Sequence, residues 1–204
     1  MSSRPTAILV SVILTLFSIS VVGQERTIPQ MIEQVRPKPL IITSVSELVV
    51  ASFESAIRDA DLIVQGSVRR LKTYMTNDQM QLYTDFEILP TNMILVRRAL
   101  GGGRPGQVAS IVLRMWGGET EINGLPVKFL NTNFPELPTG RPLLLLLKYR
   151  DDVGKYELYD NAWALELKGG RTLEPLVRPT SPFEDRVIGM DIADAIREIQ
   201  ERTR

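Results

Sequence analysis

The sequence predicts a mainly β protein, built as a small closed or nearly closed antiparallel barrel with one helix before it and one helix after it. From Asp61 onwards, apolar and polar residues alternate with a period of two, which is the spacing of half-buried strands. Turn residues separate these segments, and no helical pattern lies between them. Parallel neighbours would need helical crossovers, so we expect the six to eight strands to pair antiparallel.

The chain begins with a predicted secretory signal peptide, residues 1–23. The apolar run from Ala7 to Val22 follows a short head that carries Arg4. This run is shorter than the roughly 17–25 residues of a spanning helix, and small residues close it, which favours cleavage after Gly23 over a retained membrane anchor. The mature protein is then expected in the periplasm or outside the cell, with no membrane attachment.

Residues 24–43 contain three prolines and no persistent periodicity, so we predict a linker that leads into a single domain, residues 44–204. The tetrapeptide Ser44 to Glu47 has the spacing of a capping box, which predicts the start of a helix. Apolar residues from Val45 to Ile57 keep helical spacing, and the predicted helix ends near Asp59.

The barrel strands follow in order, and three local patterns support them. Asn123-Gly124 is the preferred pair for a two-residue hairpin turn, because both residues tolerate positive φ. The five leucines of Leu143 to Leu147 predict a strand that is covered on both faces. Asp191 predicts the N-cap of a C-terminal helix with an apolar stripe. Further strands are predicted over Leu62–Val68, Leu82–Ile88, Ala109–Met115, Tyr156–Tyr159 and Ala162–Leu167.

Composition excludes several classes of function. The chain contains neither histidine nor cysteine, which removes imidazole and thiol catalysis, disulfides and the commonest zinc ligands. Its 24 basic and 24 acidic residues balance, which argues against nucleic acid as a partner. Export without cysteine is more typical of a bacterial protein than of an animal one. We expect a monomer.

The remaining ligand-like patterns have simpler explanations. Asp151-Asp152 and Asp160-Asn161 offer the oxygen ligands that calcium prefers, but they lack the alternating acids of an EF-hand loop, so we interpret them as solvated turns. Gly101 to Gly103 are not followed by the Lys-Ser/Thr of a phosphate-binding loop. We therefore predict no metal site and no cofactor.

Four segments of the predicted barrel carry a resemblance to a family of uncharacterised exported bacterial proteins. They are Ala60–Val68, Tyr83–Phe86, Trp116–Glu119 and Gly140–Leu147. The resemblance spans Ala60 to Leu173 and implies an OB-like barrel similar to that of the netrin and metalloproteinase-inhibitor modules. Those inhibitors chelate the metal of the enzyme through an N-terminal cysteine, which this chain lacks, so inhibition by that route is not implied.

One polar constellation is predicted on the outer face of neighbouring strands, and it comprises Tyr83, Asp85, Arg114, Trp116 and, just past the strand end, Glu119. OB-like barrels often bind extended ligands on such a face, although ordinary cross-strand pairing also explains the pattern. We expect a non-catalytic binding or interaction module for a protein or polymer of the envelope or the extracellular space. The alternative is a carboxylate-dependent hydrolase that uses Asp85 and Glu87.

Overall fold

The computed structural model describes residues 26–44, 51–98, 111–131, 134, 136–160, 163–177 and 187–203, and it confirms a mainly β protein with flanking helices. The helices are α1 (Ile28–Val35), α2 (Phe53–Asp59) and α3 (Ile192–Arg202). The strands are β1 (Leu40–Ser44), β2 (Leu62–Met75), β3 (Leu82–Val96), β4 (Ile111–Trp116), β5 (Gly118–Ile122), β6 (Leu125–Asn131), β7 (Leu143–Arg150), β8 (Lys155–Leu158), β9 (Ala164–Lys168) and β10 (Thr172–Pro175).

The predicted signal peptide lies outside these described residues. Within them, no helix combines the length and the apolar character that a membrane span requires.

Five strands close a ring of backbone pairings. β2, β3 and β4 pair antiparallel in chain order, β7 pairs with β2, and β8 pairs with β7. The ring closes between β4 and β8, where Leu113 stands opposite Tyr156. β9 and β10 extend the same sheet beyond β7. The sheet is therefore barrel-like, as predicted, but its closing contact is parallel and not antiparallel.

The first described segment forms regular structure, so the prediction of a linker over residues 24–43 is wrong. Ile28 and Ile32 of α1 are completely buried, and β1 pairs parallel with β6 in a second sheet of order β1-β6-β5. Pro29 does not interrupt α1, because it stands in the first turn, where its missing N–H would have no helical partner. The backbone N–H of Thr27 donates to the Gln30 side chain at 2.9 Å and fixes the start of the helix.

The helix predicted from Ser44 begins later, at Phe53. Ser44 is the last residue of β1, and residues 45–50 of the predicted helix lie outside the described part of the chain. The N-cap is Ser52, whose hydroxyl oxygen accepts a hydrogen bond from the backbone N–H of Ser55 at 3.1 Å. The end at Asp59 is confirmed.

The leucine strand β7 is confirmed as central, because all five leucines are completely buried. Leu143, Leu145 and Leu147 pack inside the ring. Leu144 and Leu146 face the opposite way, into a cluster formed with α2 and α3. A third cluster joins α1 to β6 and to the start of β3. The alternation of β7 thus supplies one wall to each of two cores.

Two of the local predictions are confirmed in detail. Asn123 and Gly124 have φ values of 52° and 76° and connect β5 to β6 as a tight hairpin. Asp191 caps α3, and its carboxylate accepts the backbone N–H of Ala193 at 2.9 Å.

Candidate functional site

The five predicted site residues lie in two separate places. Tyr83, Asp85 and Arg114 occupy the outer face of the ring, where Asp85 and Arg114 are register partners on β3 and β4. Trp116 and Glu119 line a cleft at one end of the ring. The predicted constellation is therefore not a single surface, and each half has its own set of neighbours.

The outer-face residues belong to a polar cluster of Tyr74, Tyr83, Asp85, Arg114, Lys155 and Glu157, which we call the outer-face cluster. Asp85 is buried, with 3% of its surface exposed, and it accepts from Lys155 Nζ at 2.8 Å and from the Tyr74 hydroxyl at 3.3 Å. Arg114 Nε donates to Glu157 Oε1 at 2.9 Å. The Arg114 guanidinium also lies 4.4 Å from the centre of the Tyr83 ring. Each charge in the cluster thus has a partner within the protein.

The electrostatics of the outer-face cluster favour its charged state. Burial alone would lower the pKa of Lys155, but the hydrogen bonds to Asp85 and Tyr74 outweigh it and leave that pKa raised. Burial likewise opposes the charge of Arg114, and the bond to Glu157 outweighs it, so its pKa is also raised. Burial raises the pKa of Tyr83. This balance is that of a structural network in which cations and carboxylates satisfy one another.

The two carboxylates of the hydrolase alternative are both held by cations. Asp85 pairs with Lys155, and Glu87, on the same face of β3, pairs with Arg69. Neither carboxylate lines the cleft. The hydrolase alternative therefore gains no support from the positions of these two groups.

The cleft lies where the interior of the ring opens towards the second sheet, and its volume is about 590 Å³. We call it the aromatic cleft. Its apolar lining comprises Phe86, Met115, Trp116, Phe129, Phe134 and Leu137. The Trp116 ring lies 5.4 Å from that of Phe129 and 5.6 Å from that of Phe134, which it meets edge to face. The volume is within the range of about 300–1,000 Å³ that small-molecule sites occupy.

Charged side chains surround this apolar lining, namely Arg70, Glu119, Lys128, Glu136 and Arg141. Lys128 Nζ lies 3.6 Å from the Glu119 carboxylate. Arg141 pairs at 3.0 Å with Glu166, which is outside the cleft. Arg70 Nη2 donates to Thr73 Oγ1 at 3.1 Å and to the Glu119 carbonyl oxygen at 3.4 Å. The cleft therefore combines an apolar floor with a charged rim.

Two glycines explain why Glu119 leaves the outer face, although Trp116 is still the register partner of Tyr83. Gly117 and Gly118 have φ values of +97° and +130°, and they carry the chain from β4 in the ring to β5 in the second sheet. A Cβ on Gly118 would lie 2.0 Å from Thr84 Oγ1, so only glycine fits this approach. The alternation of β4 therefore ends after Trp116, and it does not extend to Glu119.

The indole N–H of Trp116 is shielded from solvent and meets no acceptor in the part of the chain that the structure describes. A buried donor without a partner is destabilising by about 1–3 kcal/mol. Trp116 lines the cleft, so a ligand bound there could supply the missing acceptor.

No family model, curated protein or solved structure matches this chain. The resemblance to an exported bacterial family consequently stays a prediction, and the functional argument depends on the geometry of the aromatic cleft.

Metal binding also finds no candidate in the described residues, which contain no group of three or more suitable side chains. The acidic turn at Asp151-Asp152 is exposed, as predicted, and its carboxylates make surface ion pairs, Asp151 with Arg98 and Asp152 with Arg150.

Sequence reasoning missed most of the cleft. Phe129 belongs to a strand identified only as one arm of a hairpin, and Phe134 lies in a loop with no pattern of its own. Arg70 stands beside Arg69 near the end of a predicted strand, and nothing in this pattern distinguishes it from an ordinary surface cation. The signal that was available is the aromatic content of the segment from Leu125 to Phe134, which is high for a hairpin arm and loop.

Proposed function

We propose that this protein is an exported, non-catalytic binding module that holds its ligand in the aromatic cleft. The observation that carries the proposal is the cleft itself, an open space of about 590 Å³ lined by aromatic side chains. Soluble domains normally bury such side chains, and a concave apolar site with a few polar groups is typical of ligand binding. Trp116 and Phe129 supply rigid, flat surfaces for a ligand at a small entropic cost.

The position of the cleft supports an OB-like mode of binding. The five strands of the ring are β2, β3, β4, β7 and β8, so β3 and β4 are its second and third strands. OB-type barrels bind their ligands on the second and third strands. Here these two strands contribute Phe86, Met115 and Trp116 to the cleft.

Export remains part of the proposal and is supported by the apolar run from Ala7 to Val22. In this proposal the module acts as a monomer in the periplasm or outside the cell, where it binds a component of the envelope or of the extracellular space. The balanced charge of the chain argues against nucleic acid as that component.

A fluorescence titration tests whether the cleft binds apolar ligands. The probe is N-phenyl-1-naphthylamine, a neutral dye whose emission rises in apolar sites. Wild-type protein should bind it saturably, and Thr139→Trp, which places a large ring at the cleft lining, should weaken binding at least tenfold. Asn77→Trp adds the same ring at the exposed β2–β3 turn and should bind like the wild type.

Thermal melts of both variants establish that they are folded before binding is compared. The proposal is rejected if the wild type shows no saturable binding. It is rejected as well if Thr139→Trp and Asn77→Trp bind the dye with the same affinity.

A further inference from the structure

We propose that the ligand of the aromatic cleft is an amphipathic organic anion, whose apolar or aromatic body covers the floor while its single anionic head pairs with Arg70. This inference rests on the proposed function, which places the ligand in the cleft. It adds the charge of the ligand and the residue that recognises it.

Arg70 is a positioned cation with unused donors. Its Nη2 is held by Thr73 Oγ1 on β2 and by the Glu119 carbonyl oxygen on β5, at 3.1 and 3.4 Å. No carboxylate of the described residues lies within ion-pair distance of its guanidinium. The Nε and Nη1 donors are therefore left for a partner from outside, and a planar guanidinium fork matches a carboxylate or a related anion in geometry.

The other charged side chains of the rim are less suited than Arg70 to bind the charged head of a ligand. Lys128 and Glu119 neutralise each other within the cleft, and Arg141 is engaged by Glu166. Glu136 is the acidic counterpart of Arg70, because it too lines the cleft without an ion pair to a described residue. No hydrogen bond from the described residues holds the Glu136 carboxylate, whereas Arg70 is fixed by two. A preorganised group loses less entropy on binding, so the cleft favours the anion.

The dimensions of the cleft favour a small molecule over a polymer. About 590 Å³ accommodates one or two rings or a short acyl chain, together with a head group. Trp116, Phe129 and Phe134 form the flat part of the lining, and aromatic or acyl bodies pack against such rings.

Two dyes of nearly the same shape test the charge of the ligand. 8-Anilinonaphthalene-1-sulfonate carries an anionic head, and N-phenyl-1-naphthylamine is its neutral counterpart. In Arg70→Gln we expect the Kd for the sulfonate to rise about three- to tenfold, while the Kd for the neutral dye changes by less than twofold. The affinity of the wild type for the sulfonate should also fall as salt increases, since Arg70 is exposed.

Three further variants make the result specific. Lys72→Gln removes a positive charge from an exposed position of the same strand outside the cleft, and it should leave both dissociation constants unchanged. Arg70→Lys keeps the charge but loses the fork, so its Kd for the sulfonate should lie between those of the wild type and Arg70→Gln. Glu136→Gln should strengthen sulfonate binding by about twofold, because it removes a like charge.

The outcomes separate the two proposals. If neither dye binds the wild type, the proposed function fails. If the neutral dye binds but Arg70→Gln leaves the ratio of the two dissociation constants unchanged, only the anionic ligand is rejected. If Arg70→Gln strengthens sulfonate binding, Arg70 does not recognise an anionic head and the inference is overturned.

Discussion

Removal of the Asp85 carboxylate should destabilise the protein far more than removal of an exposed carboxylate. Asp85 is 3% exposed and holds Lys155 Nζ at 2.8 Å. Asp85→Ala deletes the anion and leaves the Lys155 ammonium, whose side chain is 26% exposed, without the carboxylate that it binds. Because the Lys155 ammonium is only partly exposed, water cannot fully replace the interaction that it loses.

The magnitude follows from this partial burial. Breaking a fully buried pair costs about 3–5 kcal/mol, and an exposed pair contributes about 0.2–1 kcal/mol. Lys155 lies between these limits and closer to the buried one, so we expect Asp85→Ala to lower the free energy of unfolding by about 2–3 kcal/mol. That is a large part of the roughly 5–15 kcal/mol that stabilises an ordinary domain.

Denaturant unfolding followed by circular dichroism measures this change. The control is Glu33→Ala, which breaks the exposed Glu33–Arg36 pair of α1 and should alter the free energy of unfolding by less than about 0.5 kcal/mol. The double variant Asp85→Leu with Lys155→Met removes both charges and should recover most of the loss. Equal stabilities of Asp85→Ala and Glu33→Ala would refute the buried pairing.

The same pair predicts a dependence on alkaline pH. Because the pKa of Lys155 is raised in the folded protein above its ordinary value of 10.5, its contribution to stability is complete below about pH 10.5. This contribution is lost as pH rises through the folded pKa. Asp85→Ala should therefore show a smaller loss of stability than the wild type as pH rises above about 10.5. An equal loss in both proteins would mean that other groups cause it.

The other predictions concern export and packing. Mass spectrometry of secreted protein should find an N-terminus at or near Gln24, whereas full-length chain in the membrane fraction would indicate a retained anchor. Leu145→Asp should cost several kcal/mol and unfold the domain, because the side chain is completely buried inside the ring; an unchanged melting temperature would contradict its central position. Gly118→Ala should lower the free energy of unfolding by more than about 2 kcal/mol through strain and a clash with Thr84, while Gly140→Ala, which has open space for a Cβ, should cost only about 1 kcal/mol. Equal losses for the two glycine variants would exclude the clash.

The elements that were predicted best are those whose conformation depends on the chemistry of neighbouring residues in the sequence. The turn at Asn123-Gly124 and the cap at Asp191 depend on a few adjacent residues, and the structure contains both. The same kind of signal is present at α1, since Thr27 and Gln30 have the spacing of a capping box. The helix was not predicted because the prolines of this segment indicated a linker. At Ser44 a similar pattern was misleading, because pairing with β6 determines the conformation of that segment.

The candidate site was harder to predict because it depends on contacts between distant segments. Alternation along β3 and β4 placed Asp85 and Arg114 on the same outer face of neighbouring strands, where they are register partners. It could not show that the chain turns away after Trp116, or that Phe129 and Phe134 come to meet that ring. Nor does alternation reveal which cation pairs with which carboxylate. That Arg70 has no acidic partner among the described residues is therefore visible only in three dimensions.

The strand β7 has a consequence for how the protein unfolds. Its backbone is common to the core inside the ring and to the core beneath α2 and α3. Removal of α2 and α3 would expose only Leu144 and Leu146, whereas unfolding of β7 exposes the leucines of both faces to water. Loss of β7 therefore disrupts both cores at once, and this strand couples the helical layer to the stability of the ring.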